Sequence, residues 1–246
     1  MTLVADPRAD RALLAEFYSD IMVPAFRPDE LGEQPYWQDE SGTAQTLLAL
    51  DEDRRVLGGV VGELFTRSGV LLISWVAVRR GLRGQGTGTR LMEAAAREWY
   101  GDPRYRLVLG ELDDPRYWPS EEQDPVARLR FYDRLGVRAL TTPYFQPALG
   151  PSLAPVHHMF LAEFHPGAPG VRPASDAAPH GAVDGAAVRV FLEEYLEGSA
   201  EWCGHPGVLG EDAEWLLSYY DGSDIPLIPL LDYPRIKDPA PPGARV

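Results

Sequence analysis

Apolar and polar positions along the chain alternate between short runs of strand type and stripes of helical spacing. Thr2-Leu3-Val4-Ala5 fits a first strand, and Leu14, Phe17, Tyr18 and Ile21 share one helical face. Residues 24–43 are rich in Pro, Gly and acids and predict a loop with room for one short helix, carrying Phe26, Tyr36 and Trp37. Residues 44–50 and 56–65 are β-type segments joined by a polar turn, and Ser68-Gly69 leads into the unbroken apolar run 70–78, which together predict an antiparallel meander. A helical pattern of Leu91, Met92, Ala95 and Trp99 follows and stops at Tyr100-Gly101-Asp102-Pro103. Residues 106–112 predict a strand parallel to its predecessor, because a helix connects the two.

A polar loop, 113–123, precedes Asp124-Pro125, an N-cap with proline at the first helical position. Val126, Leu129, Tyr132 and Leu135 form that helix's stripe, and Gly136 closes it. Residues 137–141 and 156–164 predict the next strands, bracketing a proline-rich loop at 142–155. The stretch 165–183 has the Pro, Gly and Ala content of a linker. Residues 184–246 predict a helical and irregular extension: Asp184 is a possible cap, and Val188, Phe191, Leu192, Tyr195 and Leu196 form a stripe. A second apolar patch lies at 215–219, and the proline-rich tail from 225 reads as irregular. So small a piece is expected to pack on the first 164 residues or on a second subunit, with a homodimer as one outcome.

Between the apolar run and the helix lies Arg79-Arg80-Gly81-Leu82-Arg83-Gly84-Gln85-Gly86-Thr87-Gly88-Thr89. The first amides of a helix lack partners within it and lie at the positive end of its dipole, so a glycine-rich turn feeding a helix start suits a phosphate. Arg79, Arg80, Arg83 and Arg90 can add charge to the same neighbourhood. The turn has neither the Gly-Lys-Ser/Thr of a P-loop nor the G-x-G-x-x-G of a dinucleotide fold.

Arg83, Gly86 and Gly88 instead resemble the acetyl-CoA signature Arg/Gln-x-x-Gly-x-Gly/Ala of the GCN5-related N-acetyltransferase (GNAT) superfamily, with Val76-Ala77-Val78 before it and Leu91-Met92 after it also similar to that family. The resemblance covers residues 1–164 and implies an α/β GNAT fold, a mixed and mostly antiparallel central sheet flanked by helices. It also implies acetyl-CoA as cosubstrate, transfer to a primary amine of a small molecule by direct attack, and no metal. The cofactor-binding residues it implies are Val76, Ala77, Val78, Leu82, Arg83, Gly84, Gln85, Gly86, Thr87, Gly88 and Thr89. The Val76 and Val78 amides face the thioester arm, and 82–89 face the diphosphate. Tyr132, four residues before Gly136, matches the tyrosine that protonates the departing thiolate. Glu111 matches a position where relatives carry a glutamate and is the candidate base, with Glu63 second. Asp113, Asp114, Glu121, Glu122 and Asp124 could form a cation-attracting rim, and Tyr117 and Trp118 could shape the acceptor pocket. The loop carrying them is longer than the family's usual one. Two other readings stay open: a non-catalytic acyl-CoA sensor, and an enzyme acting on a protein or peptide amine.

Composition narrows the partners. A net charge of −14 argues against nucleic acid and mildly for a cationic substrate. No apolar run approaches bilayer length, the first residues lack a signal layout, and a single cysteine, Cys203, suits a reducing compartment, so a cytoplasmic protein is expected. Of 23 basic residues only Lys237 is lysine, a bias that suggests a GC-rich bacterial genome. His157, His158, His165, His180 and His205 have no zinc-site spacing. Adjacent histidines on a strand face opposite ways, so at most one of His157 and His158 could enter a site.

Overall fold

The computed structural model describes residues 2–5, 7, 10–32, 43–118, 124–205, 207 and 210–236. Its centre is one mixed sheet. Strands β1 (Thr2–Ala5), β2 (Ala44–Leu50), β3 (Val56–Phe65) and β4 (Val70–Val78) run antiparallel in sequence order, and β5 (Leu107–Asp113) joins β4 in parallel. Next to β5 lies β8 (Val156–Glu163), which pairs with two short pieces, β6 (Arg138–Leu140) and β7 (Tyr144–Gln146). The proline-rich stretch 142–155 therefore contains a strand that its composition concealed.

Helices α3 (Thr87–Trp99) and α4 (Pro125–Arg134) cover one face of the sheet, packing Leu91, Met92, Leu129 and Tyr132 on Leu71, Ile73, Val108 and Phe160. On the other face, α1 (Arg11–Phe17), its one-turn π continuation Tyr18–Met22 and the short α2 (Pro28–Leu31) cover β2 to β4.

Beside them lies α5 (Gly185–Trp202), whose stripe Val188, Phe191, Leu192 and Leu196 is buried against Val70, Leu72, Leu107, Leu109 and Leu161, with α6 (Glu211–Leu217) alongside. Asp184 caps α5, accepting from the Ala187 amide at 3.1 Å.

Residues 165–236 also extend the sheet. β11 (Ile225–Pro229) pairs with β6, β10 (Ala182–Val183) pairs with β11, and β9 (Val171–Arg172) pairs with β10. A proline-containing stretch expected to be irregular can serve as a strand here because its two neighbours divide it. β6 pairs with 227–229 and β10 with 225–226, so neither ladder needs every amide. A 3-10 turn at Leu230–Arg235 then crosses to the opposite face, where Leu230 and Ile236 are buried in the α3–α4 core and the Tyr233 ring stacks 6.5 Å from Phe160. No described helix is long and apolar enough to cross a membrane.

Candidate active site

The sheet opens between β4 and β5. Their pairing ends at Ile73 with Gly110, while β4 continues to Val78 and β5 to Asp113. A bulge sits at the same place: Val61 opposes Trp75 and Gly62 opposes Ile73, leaving Ser74 as the extra residue. Beyond the bulge the facing of β4 changes, so that Trp75 and Ala77 lie under α1 and Val76 and Val78 pack against the α3–α4 core. The Arg79 amide donates to the Leu57 carbonyl at 2.8 Å. By the alternation of an antiparallel ladder, the Ala77 amide then faces β3 and those of Val76 and Val78 face the opening.

The glycine turn begins at the end of β4. Gly84 and Gly86 have φ of 77° and 82°, and a Cβ on either would meet nothing within 4 Å. Backbone conformation requires these glycines, and the space beside them is open to an approaching group. Gly86 is the N-cap of α3, and the first internal amide bond runs from Arg90 to the Gly86 carbonyl at 3.1 Å. The Thr87, Gly88 and Thr89 amides precede that bond, and no acid occupies the first turn. Phe131 of α4 lies against this start, 3.5 Å from where a Gly88 Cβ would sit.

Not all of the predicted cradle is available. Leu82 donates its amide to the Arg79 carbonyl at 3.1 Å, and the Gln85 side chain ties back to the Gly81 carbonyl at 3.1 Å. Arg79 is committed to α1 and its π turn through Glu16 at 2.5 Å and Asp20 at 3.3 Å, and Arg80 donates to the Pro24 carbonyl at 2.9 Å. Arg83 and Arg90 are exposed and form no ion pair among the described residues.

Tyr132 lies in the last turn of α4, 6% exposed, its ring 4.9 Å from Phe131 and 5.2 Å from Phe164. It shares a core cluster with Val76 and Val78. Burial pushes its hydroxyl up to about 12, so the group holds its proton throughout the neutral range.

Glu111 lies on β5 one residue past the last pair with β4. The Tyr144 hydroxyl donates to its Oε1 through a short hydrogen bond, and Gln146 Nε2 donates to its Oε2 at 3.2 Å. Removal from water pushes this carboxyl up to about 7, against the lowering effect of the two bonds, and the charges of Glu30 and Glu63 add to the rise. Glu30 is itself raised, first by burial and then by Asp113, although Arg27 holds it at 3.0 Å.

The expected acidic rim is mostly paired. Asp113 meets Arg27 at 3.2 Å and Arg128 at 3.3 Å, Asp114 meets Arg116 at 2.5 Å, and Asp124 caps α4 through the Ala127 amide at 3.0 Å. Glu121 and Glu122 lie outside the described residues, as do Tyr36 and Trp37. The cationic head of Arg27 sits 4.0 Å over the Trp118 ring. His158, with φ of 60°, stacks on Tyr117 at 4.0 Å, and His157 lies 5.2 Å from Phe145.

Sequence reasoning did not find Tyr144 and Gln146. They sit in a stretch with no motif and reach Glu111 only through the pairing of β7 with β8. A separate cavity of about 480 Å³ lies where α5 and α6 meet, lined by Phe145, Pro147, Leu196, Cys203 and His205, and none of the predicted site residues borders it.

Residues 42–138 match the family profile described as an acetyltransferase (GNAT) domain. Among solved structures, a protein described as an acetyltransferase of the GNAT family from Bacteroides thetaiotaomicron shares the fold with a TM-score of 0.53 at 20% identity, over 66% of this chain and 86% of that one. The ribosomal-protein-S18-alanine N-acetyltransferase from Escherichia coli aligns with a TM-score of 0.47 at 12% identity over 66% and 92%. An aminoglycoside 6'-N-acetyltransferase complexed with coenzyme A aligns with 0.46 at 14% identity over 68% and 98%. A comparison with curated protein sequences finds no significant match.

Proposed function

The chain carries a GNAT acetyltransferase domain, and from that premise we propose that it moves an acetyl group from acetyl-CoA to a primary amine of a small molecule by direct attack. The observation that supports this reading most is the opening between β4 and β5, which frees amides on one strand and leaves a carboxyl on the other.

In this reading the Val78 amide pairs with the pantetheine arm, and the Val76 amide donates to the thioester oxygen, where negative charge develops as nitrogen attacks. The amides of Thr87, Gly88 and Thr89, with Arg83 and Arg90, hold the diphosphate. The open flank of Gly84 and Gly86 gives that group room. The Leu82 amide takes no part, since it serves the turn.

An alkylammonium must lose a proton before it can attack, and Glu111 with a midpoint of about 7 is matched to take it. As the C–N bond forms and the C–S bond breaks, Tyr132 gives its proton to the sulfur and is restored by the proton that the acylated nitrogen sheds. Glu30 and Glu63 near Glu111 favour a cationic acceptor. The lone cysteine and the arginine bias support a bacterial cytoplasm as the setting.

The test is thiol release from acetyl-CoA across a panel of small primary amines and a basic peptide. Amine-dependent release with a small molecule is expected. Release with the peptide alone would transfer the reading to a protein acceptor, and tight acetyl-CoA binding without release for any amine would replace it with a sensor.

A further inference from the structure

We propose that Tyr144 and Gln146 of β7 are positioning residues for the reaction, a two-donor clamp that fixes the plane of the Glu111 carboxylate and keeps it ionisable. The inference rests on the reading of Glu111 as the base.

The clamp consists of residues i and i+2 of one strand, which present their side chains to the same face of the sheet. Each bonds a different oxygen of Glu111, Tyr144 to Oε1 and Gln146 to Oε2. Two donors on two oxygens remove the carboxylate's freedom to rotate and leave its remaining lone pairs for an incoming ammonium. Both donors are buried, Tyr144 2% and Gln146 5% exposed.

Gln146 also shows that the arrangement is not simply good packing. Its Oε1 is buried and accepts no hydrogen bond among the described residues. A buried acceptor without a partner destabilises the fold. Within the described structure, the donation to Glu111 is what offsets that cost.

The electrostatics agree with the geometry. Glu111 is faced by Glu30 from α2 and Glu63 from β3, and both raise it. The opposing influences on the carboxyl itself are the bonds from Tyr144 and Gln146. Burial first, then the Glu111 charge, with Tyr195 of α5 and Tyr220 also facing it, push the Tyr144 hydroxyl well above its usual range, so it remains a donor.

Tyr144→Phe removes one donor and keeps the ring, and Gln146→Met removes the other and keeps the length. The decisive measurement is an NMR titration of the full chain labelled with ¹³C-glutamate, the Glu111 signal being assigned from its loss in Glu111→Gln. In the unmodified chain the midpoint should lie near 7. In Tyr144→Phe it should rise by about one to two pH units, as a bond to a charged group of ~1.5–3 kcal/mol requires. In Gln146→Met it should rise by less.

With an amine found in the panel, the acid limb of kcat/KM should move up by the same amount in each variant, with activity restored at high pH. An unmoved midpoint in a folded Tyr144→Phe, with activity lowered equally at every pH, would overturn the clamp. Normal turnover in Glu111→Gln would instead overturn Glu111 as the base.

Discussion

Tyr132 and Glu111, the acid and base of the proposed reaction, reach their places by different routes, and the difference decides how each could be read from the chain. Tyr132 lies in the last turn of α4, four residues before the Gly136 that follows the helix, so local spacing carries it. Glu111 stands on a strand whose role depends on pairing that ends at Gly110. Its partners Tyr144 and Gln146 depend on the pairing of β7 with β8, which no local pattern encodes. The same limit applies to the acids around it. Asp113 and Asp114 look like a solvated negative loop, but Arg27, Arg116 and Arg128 come from other elements and from the loop itself to pair them. For Tyr132→Phe the ring stays packed and only the proton is lost. General acids contribute roughly 10²–10⁴-fold, so kcat should fall by about two orders of magnitude with little change in the KM for acetyl-CoA or in melting temperature. Thiol-release kinetics with the best amine would check this, and an unchanged kcat would remove Tyr132 from the mechanism.

At the scale of elements, strands β2 to β5 and helices α3 and α4 lie close to their expected places because each is long and its period is clean. The misread pieces are all short: β7, β9, β10 and β11 have five residues or fewer and hold their place by pairing with a neighbour. The glycine turn combines both kinds of information, since the positive φ of Gly86 is local while the open space beside it belongs to the fold. Gly86→Ala separates them. In the free protein the new methyl meets nothing, so the loss should be only the left-handed backbone cost, about 1–2 kcal/mol by denaturant titration. If the diphosphate lies on this flank, calorimetry should show coenzyme A binding weakened more than tenfold. Equal affinity in the variant would place the diphosphate elsewhere.

The whole molecule is built around a sheet whose two faces share the burden of residues 165–236. Phe191 of α5, with no exposed surface and its ring 4.9 Å edge-on to Phe65, ties that extension to β3, and Phe191→Ala should cost about 3–5 kcal/mol in denaturant unfolding. A second whole-molecule property is the response of stability to pH. Glu163, at the end of β8, has no exposed surface. Its Oε1 accepts the His165 amide at 2.6 Å, and its Oε2 has no partner among the described residues. Burial pushes this carboxyl up to about 8, so the folded chain holds a proton that the unfolded chain releases near its ordinary value of 4.5. Between those two values the folded state binds more protons, and stability therefore falls as pH rises, the reverse of the usual salt-bridged acid. Glu111 and Glu30, also raised, act in the same direction, and the net charge of −14 adds repulsion as the last carboxyls ionise. Glu163→Gln keeps the shape and removes the titration. The variant and the unmodified chain should melt at similar temperatures near pH 5 and diverge steadily up to pH 8, with the variant higher by several degrees. Parallel curves across that range would mean that Glu163 titrates at the same value in the folded and unfolded chain, so that burial does not raise it.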